Sequence, residues 1–127
     1  MLGGIVLKTA IIIAAILGFL GVALGAFGAH ALKDKFKEPK YAKNWETAVS
    51  YQFTHTYAIA LTGILMHLLG ASLSLTWAMW LFTAGTIIFS GSLYVLSLTG
   101  IKKLGAITPI GGLLMLSGWV LLLISVL

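Results

Sequence analysis

The chain has 127 residues, 60% of them hydrophobic and only 9% charged, and its mean hydropathy is +1.08. This composition excludes an ordinary water-soluble domain, which needs far more charge to cover its surface. The formal net charge of +5 comes from lysine alone, and the absence of cysteine excludes disulfides, iron–sulfur ligation and a thiol nucleophile.

Four apolar stretches organise the chain. A helix needs about 20 mostly apolar residues to cross a hydrocarbon core of roughly 30 Å. The stretches that meet this requirement are Ile5–Ala29, Ala48–Leu69, Leu75–Leu98 and Leu104–Leu127. Because the connections between them are short, neighbouring helices are expected to be antiparallel. We therefore predict an all-α, integral membrane four-helix antiparallel bundle that forms one domain, residues 1–127.

The first helix has an alternative interpretation as a secretory signal. Lys8 precedes an apolar run that ends in Ala29-His30-Ala31, which resembles a cleavage site with small residues. Cleavage there would send the most lysine-rich segment outward, against the positive-inside rule. We therefore expect the segment to be a mature transmembrane helix.

The lysines predict the orientation. The segment Lys33–Glu46 is the one hydrophilic stretch, and we interpret it as a cytoplasmic loop, with or without a short interfacial helix. Lysines in short loops are retained in the cytoplasm, and the opposite side has only Lys8. We predict a multi-pass protein of the cell membrane with both termini extracytoplasmic. The lysines beside apolar runs favour anionic lipid headgroups as partners, and not nucleic acid; they are Lys33, Lys35, Lys37, Lys40, Lys43, Lys102 and Lys103.

Local chemistry marks several helix ends. Asn44, with Glu46 just behind it, suits the start of helix two. Gly100 suits the end of helix three, and Thr108 followed by Pro109 suits an N-cap and first turn of helix four.

Small residues on helix one recur at spacings of four and three, so they share one face. They are Ala14, Gly18, Gly21, Gly25 and Gly28. Small residues let another helix approach closely, so the stripe predicts packing within the subunit or between subunits. The alternative is a crevice for a ligand. Further glycines on helices three and four could receive the stripe, and we assign Gly91, Gly111 and Gly112 to helix packing, with Gly85 and Gly118 as further candidates.

Polar residues inside the apolar stretches are the functional candidates, because an unsatisfied polar group in hydrocarbon is costly. They fall in the predicted cytoplasmic half, which favours an inward-facing pocket or interhelical hydrogen bonds over a continuous channel. The binding candidates are His30, Tyr51, Gln52, His55, Ser90, Ser92 and Tyr94.

His55 is the deepest histidine and has two interpretations. It either makes a structural hydrogen bond with a partner such as Ser90 or Tyr94, or takes part in binding or proton transfer. The sequence has no HExxH motif, Ser-His-Asp set, paired intramembrane carboxylates or phosphate-binding loop. We therefore expect no catalytic residue, metal or cofactor, and no enzymatic activity.

Ordered blocks of residues occur along nearly the whole chain. They are Gly25-Ala26-Phe27-Gly28-Ala29-His30, Trp45 with Thr47-Ala48-Val49, Tyr51-Gln52 with His55, Phe89-Ser90-Gly91-Ser92-Leu93-Tyr94, Thr108-Pro109-Ile110-Gly111-Gly112 and Gly118-Trp119. Together they resemble the small bacterial membrane family called domain of unknown function four-two-three, which is related to a small mitochondrial transmembrane protein. The resemblance implies a four-helix integral membrane protein without assigned biochemistry.

Two hypotheses of function follow. In the first, the chain is a structural or interaction component that packs through its glycine faces into a homo-oligomer or a larger membrane complex. In the second, it is a small permease or proton-linked carrier with a cytoplasmic-facing polar site around His55.

Overall fold

The computed structural model describes residues 2–127, with side chains from residue 4 onward, so Met1 of the predicted domain lies outside the described residues. Four α-helices and one short 3-10 helix account for most of this part of the chain. They are α1 (Leu2–Ala29), α2 (Pro39–Leu69), α3 (Leu73–Thr99), the 3-10 helix Lys102–Ala106 and α4 (Thr108–Val126). The predicted all-α, four-helix membrane architecture is confirmed.

The helices pack in chain order. α1 lies against α2, α2 against α3 and α3 against α4, whereas α1 and α4 are not neighbours in the described part of the chain. The central apolar core draws on α1, α2 and α3, with Ala10, Ile59 and Phe82 among its fully buried members. The outer faces of α1 and α4 remain exposed and apolar, as expected for a surface that is in contact with lipid.

α2 differs from the other α-helices in length and hydropathy. Within the described residues, three segments are long and apolar enough to cross a membrane, and none of them is in α2: Gly4–Ala29, Leu73–Thr99 and Lys102–Val126. α2 has 31 residues and is therefore about 45 Å long at 1.5 Å per residue. This exceeds the roughly 30 Å hydrocarbon core, so the first turns of α2 extend into the headgroup region.

The predicted start of helix two is wrong. α2 begins at Pro39, which occupies its first turn, so Asn44 lies within the helix and does not cap it. Part of the predicted loop Lys33–Glu46 is therefore helical. The reason is a buried face: Tyr41, Trp45 and Ala48 follow one another at helical spacing and are all buried, while the lysines lie on the opposite, exposed side.

The third connection is partly as predicted. Gly100 ends α3 in a left-handed conformation with φ of 72°, and its N–H donates to the Leu96 carbonyl at 2.8 Å. Helix four begins later than the predicted residue 104, because Lys102–Ala106 forms a 3-10 helix. Thr108 is the first residue of α4 and not its cap; its hydroxyl donates to the Leu104 carbonyl.

Candidate functional site

Gln52 connects three helices. Its side-chain amide N–H donates to the Leu17 carbonyl of α1 at 2.7 Å, and its Oε1 accepts from the Tyr94 hydroxyl of α3 at 2.6 Å. The side chain is only 3% exposed. An amide that is hydrogen-bonded at both ends fixes the positions of α1, α2 and α3 relative to one another.

His55 is hydrogen-bonded through both ring nitrogens. Nδ1 lies 2.8 Å from the Tyr51 carbonyl oxygen, and Nε2 lies 3.0 Å from the Trp119 indole nitrogen. An indole N–H can only donate, so Nε2 accepts and the proton is assigned to Nδ1, which donates to the carbonyl. The predicted partners Ser90 and Tyr94 are wrong for His55; the side-chain partner is Trp119 on α4.

Ser90 and Ser92 make further hydrogen bonds between helices. The Ser90 hydroxyl donates to the Ala48 carbonyl of α2 at 2.7 Å. The hydroxyls of Ser92 and Thr108 lie 2.6 Å apart and connect α3 to α4. We use the name polar cluster for the side chains of Gln52, His55, Ser90, Ser92, Tyr94, Thr108 and Trp119.

Two predicted site residues lie outside the polar cluster. His30 is exposed at the end of α1, where it borders a shallow groove with Ala23 and Phe27. Tyr51 contributes its carbonyl to His55, but its ring is 44% exposed and lies against the Phe89 ring, with centroids 4.6 Å apart. His30 is therefore not part of the site.

Trp119 and Thr108 were not among the predicted site residues. The signal for Trp119 was its position near the middle of an apolar stretch, because a tryptophan far from the headgroups needs an acceptor for its indole N–H. His55 was the deep acceptor available in the sequence. Thr108 gave no such signal, since its position at a helix start already explained it.

No buried side-chain nitrogen or oxygen in the described residues lacks a hydrogen-bond partner. The same part of the chain contains no group of three or more His, Asp or Glu side chains that could hold a metal ion. Each member of the polar cluster is therefore already engaged in a contact inside the protein, and none presents an unpaired acid or base to a substrate.

An open groove of about 480 Å³ nevertheless borders the polar cluster. It lies between α2, α3 and α4, and its lining includes Tyr51, His55, Phe89 and Trp119. The His55 ring is thus part of a groove wall while both its nitrogens are hydrogen-bonded.

The small-residue stripe of α1 faces α2. Ala14 is buried in the core. A methyl group added at any of the four glycines would contact a side chain of α2: Thr56 at Gly18, Phe53 at Gly21, Val49 at Gly25 and Trp45 at Gly28. Side chains of α2 in the same chain therefore pack against the stripe. The prediction that glycines of α3 and α4 pack against it is wrong.

A second close contact joins α3 to α4. A methyl group at Gly111 would lie 2.5 Å from the Phe89 backbone nitrogen and 2.8 Å from the Gly85 carbonyl oxygen. At Gly112 the nearest atom would be 3.9 Å away, an ordinary contact. At Gly91 nothing lies within 4 Å, so the prediction that this glycine packs against a helix is not met.

The seven predicted headgroup lysines are all exposed. Both connections that carry them lie at the same end of the bundle, since the Tyr41 ring in the first turns of α2 lies beside Gly100 at the end of α3. Lys40 makes an ion pair with Glu38 at 3.1 Å, and this hydrogen bond raises the pKa of Lys40. That this end faces the cytoplasm stays a prediction.

Fold and site together define an all-helical integral membrane protein whose internal polar side chains bond its helices to one another. The chain belongs to the family described as protein of unknown function (DUF423), whose sequence profile matches residues 24–112. The predicted resemblance is thereby confirmed.

Relatives of similar length support this assignment. The UPF0382 membrane protein SH2409 of Staphylococcus haemolyticus is 46% identical over 119 residues, covering 94% of this chain and 95% of the relative. The UPF0382 membrane protein YwdK of Bacillus subtilis is 43% identical over 119 residues, covering 94% and 96%. No solved structure matches the chain.

Proposed function

We propose that this protein is a structural component of the cell membrane, which assembles with further copies of itself or with a larger membrane complex. The observation that carries the proposal is the engagement of the polar cluster. Both ring nitrogens of His55 and both ends of the Gln52 amide are bonded to groups of the same chain. A solute or proton on a path through the bundle would have to displace these bonds, and a buried group left without its partner costs about 1–3 kcal/mol.

The assembly surface in this proposal is the outer face of α1 and α4. The glycine stripe of α1 and Gly111 of α4 are unavailable, because α2 and α3 of the same chain pack against them. The outer faces carry large apolar side chains that no other helix covers, such as Phe19 on α1 and Leu116 on α4, which are 74% and 62% exposed. Membrane helices associate through van der Waals packing, so a face that no helix of the same chain covers is where a further helix can pack in place of lipid.

One observation favours the alternative, a small proton-linked carrier. The His55 ring borders the open groove between α2, α3 and α4. In that hypothesis Trp119 would release Nε2, and the imidazole would then exchange its proton with water in the groove.

Two single variants distinguish the two functions, His55→Gln and His67→Gln. His67 is a matched control, because it lies on the same helix but is exposed at the far end. Thermal stability is measured in detergent, and proton flux is measured with a pH-sensitive dye trapped in reconstituted vesicles. The structural proposal predicts that His55→Gln alone lowers stability and that wild-type vesicles show no flux above empty ones. Wild-type flux that His55→Gln abolishes without loss of stability would contradict it and favour the carrier.

The assembly itself is tested by the mass of the protein released from lipid nanodiscs. The proposal predicts a complex of several copies, or of this chain with another membrane protein. A monomer at all protein concentrations, in native membranes as well as in nanodiscs, would contradict it.

A further inference from the structure

A cleft separates α1 from α2 at the lysine-bearing end of the bundle. Its volume is about 460 Å³, within the ~300–1,000 Å³ typical of small-molecule sites. Its floor is apolar, formed by Gly25, Phe36, Trp45 and Val49 among others. Gly25 and Gly28 of α1 contribute only backbone to the lining, so the side chains in the cleft at this height come from α2 and the α1–α2 connection.

Two opposite charges line this apolar cleft. Lys33 lies in the α1–α2 connection and Glu46 lies in the second turn of α2, and both border the cleft. They are not paired with each other: the one ion pair within the described side chains joins Lys40 to Glu38. A lysine and a glutamate beside one apolar surface are complementary to an occupant that carries both charges and an apolar part.

The position of the cleft relative to the membrane limits which molecules can occupy it. Lys33 follows the end of α1, and Glu46 lies on the part of α2 that extends beyond the hydrocarbon core. Charged groups at this depth meet the phosphates and amines of lipid headgroups. The apolar floor continues from the charges toward the hydrocarbon along Gly25 and Val49.

We propose that this cleft binds one phospholipid whose headgroup carries both a phosphate and a primary ammonium group, as in phosphatidylethanolamine. The Lys33 ammonium donates to the phosphate, and the Glu46 carboxylate accepts from the lipid ammonium. The upper part of an acyl chain lies on Gly25 and Val49. The Trp45 indole is part of the apolar floor and does not donate to the lipid, because its N–H already bonds to the Leu24 carbonyl at 2.9 Å. This site does not depend on the proposed assembly.

The test is native mass spectrometry of the full chain released from nanodiscs that contain phosphatidylethanolamine, phosphatidylcholine and phosphatidylglycerol in equal amounts. Phosphatidylcholine keeps the charges but its quaternary ammonium cannot donate a hydrogen bond, and phosphatidylglycerol lacks the ammonium. The cleft variants are Lys33→Gln and Glu46→Gln. The controls are Lys35→Gln and Asp34→Asn, which make the same charge changes at residues of the α1–α2 connection that do not line the cleft.

The expected result is one retained phosphatidylethanolamine per chain, with about a tenfold loss of that preference in each cleft variant and none in the controls. Equal retention of the three lipids would overturn the site. Preference for phosphatidylglycerol, or a loss in Lys33→Gln alone, would overturn the recognition of the ammonium by Glu46. A loss of equal size in the control variants would show that the net charge of the connection, and not the cleft, selects the lipid.

Discussion

The contact between α3 and α4 at Gly111 leaves no room for a side chain. A methyl group there would lie 2.5 Å from the Phe89 nitrogen and 2.8 Å from the Gly85 oxygen. Both are backbone atoms, so neither can move aside by changing a rotamer. We predict that Gly111→Ala forces the two helices apart.

The magnitude follows from the distances. Ordinary contact begins at 3.4 Å, so the helices would have to separate by the difference from 2.5 Å, about 0.9 Å. Overfilling a packed interior in this way costs about 1–3 kcal/mol. Alanine also favours a helix over glycine by about 1 kcal/mol, and this gain is present equally in Gly112→Ala, where the methyl group meets nothing closer than 3.9 Å. Comparison of the two variants removes it.

The assay is unfolding of the purified protein by titration with a denaturing detergent, followed by helical circular dichroism. Gly111→Ala should be less stable than Gly112→Ala by about 1–3 kcal/mol. Equal stability of the two variants would refute the close contact between α3 and α4.

Three further predictions use the same structure. Trp119→Phe removes the donor to His55 Nε2 and should lower the free energy of unfolding by about 1–3 kcal/mol; an unchanged value would mean that the bond is not formed. Gly21→Leu should lower the yield of folded protein, because the new side chain meets Phe53, whereas Ala26→Leu on the exposed face of α1 should not; equal yields would remove the case for the stripe. In intact cells, an impermeant thiol reagent should label a cysteine placed in the α2–α3 connection and not one placed among the lysines before α2; the reverse pattern would invert the predicted orientation.

The four helices could be predicted from the sequence because the free energy of transferring apolar side chains from water into lipid dominates the placement of a membrane helix. The start of α2 could not be predicted in this way. At the start of α2 the neighbouring lysines lower the average hydropathy, so that average does not reveal the buried face of Tyr41 and Trp45. The helical spacing of those two residues indicated the earlier start of α2, whereas their average hydropathy did not.

The partners of the polar side chains were harder to predict than their burial. An intramembrane polar group needs a partner, yet the choice depends on the rotation of each helix. Trp119 reaches His55 across 64 positions of sequence. The glycine stripe of α1 raised the same difficulty. Small residues predict a close neighbour, but only the structure shows that the neighbour is α2, with Phe53 and Trp45 filling the space.

The central claim is that the polar cluster holds the bundle together and does not take part in transport, and the imidazole of His55 tests it most directly. Nitrogen NMR of the protein labelled at histidine, in lipid and at neutral pH, distinguishes the protonation states of each ring, with His30→Gln and His67→Gln used to assign the signals. We predict a single neutral form of His55 that carries its proton on Nδ1 and exchanges it slowly with water. A charged ring, or two neutral forms in rapid exchange with water, would contradict the claim and favour a proton-linked carrier.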